Sequence, residues 1–167
     1  MLKRIISSTL LIGVICAVIF SRFFCGLAAV LFIIGGLYEY FSMLEKKGIN
    51  IYKYFGIGMG IIIPLSIMFK FEPTKSWELL FIVLALLFLI LMQFKRRKNS
   101  GVIVDISTTL FGILYVSWFF SFVIKLRYMD AGFGFLTALL LITKLGDIGA
   151  YLVGSNFGKH PLIPRIS

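Results

Sequence analysis

Residues 77–94 read WELLFIVLALLFLILMQF, and this apolar stretch decides what kind of fold the chain can adopt. Its single charged residue, Glu78, lies at the second position. A helix of this length can cross most of the roughly 30 Å hydrocarbon core of a bilayer. The whole chain of 167 residues is 60% hydrophobic and 14% charged. Soluble domains are about 45–50% apolar and about 25% charged, so the composition predicts an integral membrane protein.

Five further apolar runs flank this stretch, and together they predict six membrane-spanning helices. At roughly 20 residues per span, the chain has room for short loops only. The six runs cover residues 5–20, 23–44, 54–69, 77–94, 102–124 and 133–153. The sequence shows neither an internal repeat nor a linker long enough to separate two domains. It therefore predicts an all-α, polytopic transmembrane protein with one helical membrane domain over residues 1–167.

The distribution of Lys and Arg predicts how these helices are oriented. The net charge is +10, from 17 basic and 7 acidic residues. The two termini and every second loop hold eleven of the basic residues, the other loops hold five, and Lys144 lies inside the sixth span. Because basic loops stay on the cytoplasmic side, both termini are expected in the cytoplasm. Nucleic-acid binding is not expected, since the basic residues lie between apolar runs and do not form one polar face.

Two ionisable residues inside the sixth predicted span are candidates for chemistry, because charge within a membrane is energetically unfavourable. Lys144 and Asp147 are three residues apart and therefore share one helix face. The residue types support two interpretations equally: an ion pair that eases insertion, or a polar patch facing a cavity open to the cytoplasm. Asp105 has a simpler explanation, because the helix dipole favours a carboxylate at the start of the fifth predicted helix.

Glycines and compact polar or basic side chains fill the segment after Asp147, at Gly154, Ser155, Asn156, Gly158, Lys159 and Arg165. A glycine-rich turn that carries Lys is typical of phosphate binding through backbone N–H groups and a point charge. The spacing is not that of a Walker A loop, which has four residues between its glycines and Ser or Thr after the Lys. Close helix packing through small residues explains the same glycines, so both interpretations stay open.

The segment from Asp147 to Ser167, DIGAYLVGSNFGKHPLIPRIS, resembles part of the bacterial phosphatidate cytidylyltransferases, also called CDP-diacylglycerol synthases. That family's pattern is Asp, two residues, Ala-Tyr, two residues, Gly, three residues, Gly-Lys, and a stretch leading to Ser-Pro-x-Lys-Thr. The chain matches this pattern in register at Asp147, Ala150, Tyr151, Gly154, Gly158, Lys159 and Ser167. The opening MLKRIIS and the Tyr-Glu-Tyr element around Glu39 also look like that family.

The resemblance implies transfer of CMP from CTP to phosphatidate, which gives CDP-diacylglycerol and pyrophosphate for phospholipid biosynthesis. It implies Mg²⁺ as the cofactor, with Asp147 as both metal ligand and catalytic residue. The substrate-binding candidates are Lys144, Gly154, Ser155, Asn156, Gly158, Lys159, Arg165 and Ser167. The expected partners are CTP, phosphatidate and the bacterial inner membrane, which the chain would cross several times. The resemblance leaves open whether the protein forms a homodimer.

The family continues after Ser-Pro-x-Lys-Thr to a second signature, His-Gly-Gly-x-x-Asp-Arg-x-Asp, which does not occur in this sequence. We therefore expect the chain to be the N-terminal portion of such an enzyme and expect little activity from these 167 residues alone. Ile148 is also bulkier than the residue often found at its position in the family. Two hypotheses from other classes stay open: a small transporter subunit with Lys144 and Asp147 as an intramembrane polar site, and a non-catalytic membrane fragment.

Overall fold

The structure is a computed structural model that describes residues 13, 18, 20–71, 76–95 and 101–158. Within these ranges the chain forms five helices and no strand. The helices are α1 (Arg22–Lys46), α2 (Lys53–Met68), α3 (Trp77–Phe94), α4 (Val102–Tyr128) and α5 (Gly132–Phe157). All except the 16-residue α2 are long and apolar enough to cross a membrane. The prediction of an all-helical, polytopic membrane protein is confirmed.

The five predicted spans after the first each correspond to one helix. The predicted range 77–94 coincides with α3, and the predicted ranges of α1 and α2 differ from the observed ones by one or two residues at either end. α4 and α5 each continue four residues beyond their predicted ends, to Tyr128 and Phe157. The predicted span 5–20 lies outside the described residues apart from three helical positions. The count of six spans and the location of the termini stay predictions.

α4 contains a π-helical segment, Ile113–Trp118, between two α-helical halves, Val102–Gly112 and Phe119–Tyr128. A π segment has wider turns than an α-helix, so it changes the direction in which side chains leave the helix. Two polar side chains of this segment contact neighbouring helices. The Ser117 hydroxyl donates to the Gly60 carbonyl oxygen of α2, and the Trp118 Nε1–H donates to Glu78 Oε2 of α3 at 2.7 Å.

The hydrogen bond from Ser117 replaces a backbone hydrogen bond that Pro64 removes from α2. Proline has no backbone N–H, so the Gly60 carbonyl, four residues earlier, cannot receive the usual helical hydrogen bond. Gly60 and Ser117 are both buried, and no water is available in a hydrocarbon core to replace the missing donor. The Ser117 hydroxyl therefore takes the place of the absent N–H and joins α2 to α4.

Apolar side chains fill the space between the helices in two clusters. One cluster lies towards the start of α3 and consists of Ala29, Ile63, Ile67, Trp77, Ile113 and Ile124. The other lies towards the end of α1 and consists of Ile33, Leu37, Phe41 and Ile51. Glycines allow the close approach in the second cluster, because a Cβ on Gly56 would collide with the Phe41 ring. The clusters hold α1, α2 and α4 together.

A tight turn joins α4 to α5. Ala131 has φ 57°, in the left-handed region, and the next residue, Gly132, begins α5. A Cβ on Gly132 would collide with the backbone carbonyl oxygens of Leu126 and Arg127 at the end of α4. Backbone atoms cannot move aside as a flexible side chain can, so only glycine allows α5 to leave α4 at this angle.

We expect Ser117→Ala to lower the free energy of unfolding by about 1–3 kcal/mol, because it leaves the Gly60 carbonyl without a donor. In a Pro64→Ala background the loss should shrink by about 1 kcal/mol or more, because an alanine at this position restores the backbone N–H. Ser121→Ala is the matched control, since the Ser121 hydroxyl donates within its own helix, to Trp118 O at 2.6 Å. The measurement is equilibrium unfolding in detergent micelles. Equal losses in both backgrounds would contradict this explanation of Ser117.

Gly132→Ala should destabilise the protein by about 1–3 kcal/mol, because its methyl group meets rigid backbone carbonyls. Gly134→Ala, two residues further along α5, adds a methyl group in open space and should be neutral or stabilising by up to about 1 kcal/mol. Thermal unfolding of the two variants in the same detergent makes the comparison. A Gly132→Ala protein as stable as Gly134→Ala would show that the turn relaxes.

Candidate active site

The candidate site lies on the second half of α5. Near the start of this helix, Gly132 and Leu136 are buried against the end of α4. Helical steps of three or four residues continue the same face through Leu140, Thr143, Asp147, Ala150 and Gly154. Asp147 therefore shares the face of α5 on which Leu136 is buried, although its own side chain is exposed, and small residues follow it on that face. From Leu141 to Gly158 every described residue except Gly149 is exposed.

Lys144 and Asp147 form a loose ion pair. Lys144 Nζ lies 3.9 Å from Asp147 Oδ2, which is too long for a hydrogen bond, and the two side chains are 74% and 76% exposed. Exposed pairs of this kind contribute about 0–1 kcal/mol. The pair leaves the carboxylate oxygens accessible to a metal ion and the ammonium group accessible to a phosphate. The two charges are therefore not held in a tight salt bridge, and the interpretation of a polar patch facing a cavity stays a prediction.

Three of the residues predicted to form a glycine-rich turn, Gly154, Ser155 and Asn156, instead lie in the last turn of α5. The helix continues through Gly154, Ser155 and Asn156 and ends at Phe157, and the Gly158 N–H donates to Gly154 O at 3.1 Å. The Ser155 hydroxyl donates to Leu152 O at 3.3 Å, so it is engaged by its own helix. These residues are exposed, and their predicted binding roles stay predictions.

The other interpretation of the glycines, close helix packing, has no partner within the described part of the chain. A Cβ placed on Gly146, Gly149 or Gly154 would meet no atom within 4 Å. The three remaining substrate-binding candidates, Lys159, Arg165 and Ser167, lie outside the described residues.

Asp147 fits the predicted role of an Mg²⁺ ligand in its chemistry. A carboxylate oxygen is the ligand type that Mg²⁺ prefers, and the ion is commonly held by one or two carboxylates together with water and substrate phosphates. Among the residues that the structure describes, no three His, Cys, Asp or Glu side chains come together. Asp147 would therefore hold the ion with water and phosphate oxygens, or with ligands from outside the described ranges.

A polar cluster around Asp105 was not foreseen in the sequence. Asp105 lies in the first turn of α4, as predicted, but it is only 7% exposed, and its Oδ1 accepts a hydrogen bond from the Asn50 backbone N–H at 3.2 Å. One turn later, Thr109 Oγ1 accepts from the Tyr52 N–H at 3.2 Å. The Tyr52 hydroxyl in turn donates to Gln93 Oε1 of α3 at 2.6 Å. These contacts fasten the α1–α2 connection to α3 and α4.

A second unforeseen cluster lies at the opposite end of the bundle, where α3 begins. Lys125 Nζ contacts Glu78 Oε1 at 2.5 Å, and Glu78 Oε2 also accepts from Trp118. Nearby, Arg127 donates to the Phe20 carbonyl oxygen at 2.8 Å. A lone acidic residue at the start of an apolar run, as Glu78 is, could have indicated a half-buried ion pair. The basic partner could not be identified, because it lies 47 residues away.

These features place the chain in the class of polytopic helical membrane proteins. Its accessible candidate site lies near the end of the last described helix. Within the class, the chain belongs to the cytidylyltransferase family, whose model matches residues 2–167. No solved structure matches the chain significantly.

Curated relatives of the chain are phosphatidate cytidylyltransferases. The protein of Mycobacterium leprae is 43% identical over 68 residues, which cover 41% of this chain and 22% of the relative. That of Staphylococcus saprophyticus is 29% identical over 143 residues, covering 83% and 54%. That of Staphylococcus aureus is 25% identical over 162 residues, covering 94% and 61%. The chain thus spans from about a fifth to about three fifths of the length of these relatives.

If Asp147 faces a water-filled cavity, a cysteine in its place should react with a membrane-impermeant maleimide, since a thiol reacts as the thiolate in water. We expect Asp147→Cys, in a Cys16→Ser background, to react at least about tenfold faster than Ile142→Cys in inside-out membrane vesicles, which expose the cytoplasmic side to the reagent. Ile142 lies on another side of α5, which we expect to face lipid. The native Cys25, which is 1% exposed, serves as the unreactive internal control. Equal reactivity at positions 142 and 147 would contradict a cavity on the Asp147 side.

Proposed function

We propose that the chain forms part of an enzyme that transfers CMP from CTP to phosphatidate. The observation that carries the proposal is the match of residues 2–167 to the cytidylyltransferase family. The names of the Mycobacterium and Staphylococcus relatives suggest phosphatidate as the lipid substrate. The geometry of α5 is compatible with this chemistry, because its exposed Asp147 and Lys144 present an oxygen ligand and a cation side by side.

The proposed reaction balances without a further reactant. An oxygen of the phosphatidate phosphate attacks the α-phosphorus of CTP, forming a new P–O bond. The bond from that phosphorus to the oxygen bridging the α- and β-phosphates breaks, and pyrophosphate leaves with the electron pair. The products are CDP-diacylglycerol and pyrophosphate. Catalysis of such a transfer depends mainly on positioning the two substrates and neutralising the charge on the phosphates.

Residues of α5 would supply positioning and charge. Mg²⁺ held in the site would supply positive charge that neutralises the phosphates. Asp147 would hold the ion, and Lys144, one turn earlier, would add a positive charge beside it. The exposed glycines Gly154 and Gly158 would leave steric room for phosphate groups beside the end of the helix, with Ser155 and Asn156 at the margin. Lys159, Arg165 and Ser167 complete the proposed substrate-binding set.

The proposed location is the bacterial inner membrane, crossed several times with both termini in the cytoplasm. In this topology the second half of α5, which carries Asp147, lies at the cytoplasmic end of the bundle. CTP and Mg²⁺ are available on that side, and phosphatidate reaches the same level from the bilayer. A homodimer is a further proposal for the assembly.

Asp147→Asn tests the role of the carboxylate. In membranes that contain the protein expressed from its own gene, we expect CTP-dependent formation of CDP-diacylglycerol to fall at least about 100-fold, because an amide binds Mg²⁺ weakly. Product can be measured by mass spectrometry across a titration of Mg²⁺. Asp130→Asn is the matched control, because Asp130 is an exposed carboxylate in the turn before α5, away from the site.

Membrane insertion and yield of both variants should equal those of the wild type. Near-normal turnover by Asp147→Asn would make Asp147 a structural residue. Absence of CTP-dependent product from the wild-type protein would contradict the proposed activity itself.

A further inference from the structure

A groove outside the candidate active site lies at the end of α1. It has a volume of about 350 Å³ and is lined by Tyr40, Met43 and Leu44, with Lys46 and Lys47 beside them. Positions 40, 43, 44 and 47 follow helical spacing, so one face of α1 forms the groove. Its lining is almost wholly apolar, and its basic residues stand where the helix ends.

The wall formed by Tyr40 is held in place by α4. The Tyr40 hydroxyl donates to the Thr108 carbonyl oxygen at 3.2 Å, and its ring centroid lies 5.4 Å from that of Phe41. A Cβ on Gly112 would come within 2.7 Å of the Tyr40 ring, so the ring lies directly on the α4 backbone. The Tyr40 wall of the groove is therefore fixed by α4.

The turn that ends α1 fixes the backbone at the basic end of the groove. Gly48 adopts φ 80°, in the left-handed region that favours glycine, and the Ile49 N–H turns back to Leu44 O at 3.2 Å. The next residue, Asn50, donates its N–H to buried Asp105. The backbone after Lys46 and Lys47 is thus hydrogen-bonded both to α1 and to α4. The two lysine side chains therefore extend from a defined backbone.

The charges of Lys46 and Lys47 are not neutralised by Glu45, the acidic residue that directly precedes them in sequence. Glu45 Oε2 accepts from Lys53 Nζ at 2.9 Å, and this hydrogen bond raises the pKa of Lys53 above its usual value. Glu45 is therefore already paired. Within the described ranges no ion pair includes Lys46 or Lys47, and both residues are exposed.

We propose that this groove binds one anionic phospholipid, with an acyl chain along Tyr40, Met43 and Leu44 and the phosphate at Lys46 and Lys47. A molecule that matches both halves must carry a long apolar chain and a negative head, which a nucleotide or free phosphate does not. General attraction of basic loops to an anionic surface would need no groove and would be shared by every lysine on that side. The site is separate from Asp147 and does not depend on the proposed reaction.

The test measures lipid retention by the purified protein expressed from its own gene. We expect native mass spectrometry in detergent to show one phosphatidylglycerol retained per chain in preference to phosphatidylcholine. Lys46→Gln/Lys47→Gln should weaken that retention about tenfold or more, since each lysine near an anionic lipid contributes about 1 kcal/mol, or about fivefold. Met43→Trp, which keeps both charges but fills the groove, should weaken it as well.

Lys95→Gln is the matched control, because Lys95 is an exposed lysine that ends α3 at the same end of the bundle and does not line the groove. It should leave retention unchanged. Unaltered thermal unfolding of each lipid-free variant shows that the fold is intact. A loss of about fivefold with Lys95→Gln, the effect of one lysine charge near an anionic lipid, would overturn the site in favour of diffuse charge. Full competition by glycerol 3-phosphate, or normal retention by Met43→Trp, would overturn the role of the acyl chain.

Discussion

The hydrogen bond from the Ser117 hydroxyl to the Gly60 carbonyl is the contact on which the bundle depends. Pro64 removes a backbone donor from α2, and a membrane supplies no water to replace it. The replacement must come from another helix, and it comes from a π segment that aims a serine at the vacant carbonyl. The irregularities in α2 and α4 are therefore complementary, and together they set how these helices are placed relative to each other.

Around this contact, polar interactions collect at the two ends of the bundle and apolar packing lies between them. At one end Asp105 and Thr109 hold the α1–α2 connection. At the other, Glu78 joins Trp118 and Lys125. Buried polar groups are stable only when they are hydrogen-bonded, and these side chains satisfy one another. The ends are thereby rigid, which makes them suitable places for sites such as the groove at the end of α1.

The helices could be predicted from the sequence because a run such as residues 77–94 has no alternative to a helix in a bilayer. The contacts between helices could not be predicted. Trp118 and Glu78 are 40 residues apart, and Tyr40 and Thr108 are 68 apart, so their pairing follows from the packed helices and not from local spacing. The π segment could not be predicted either, because its residues belong to an ordinary apolar run.

The candidate site could be predicted only in part. Asp147 was identified as an ionisable residue inside an apolar run and by its motif, and the proximity of Lys144 followed from helical spacing. That Gly154 to Asn156 continue the helix was missed, because glycine and small polar residues usually mark a turn in a sequence. The buried position of Asp105 was missed because nothing in the local sequence indicates that the Asn50 backbone returns to it.

The attachment of α5 at its first turn has a mechanical consequence. Asp147 lies about 22 Å along the helix axis from Gly132, at 1.5 Å per residue. A change of about 10° in the angle between α4 and α5 would therefore displace the carboxylate by about 4 Å. The turn at Ala131 and Gly132 acts as a pivot, and the position of the candidate site is governed from the opposite end of α5.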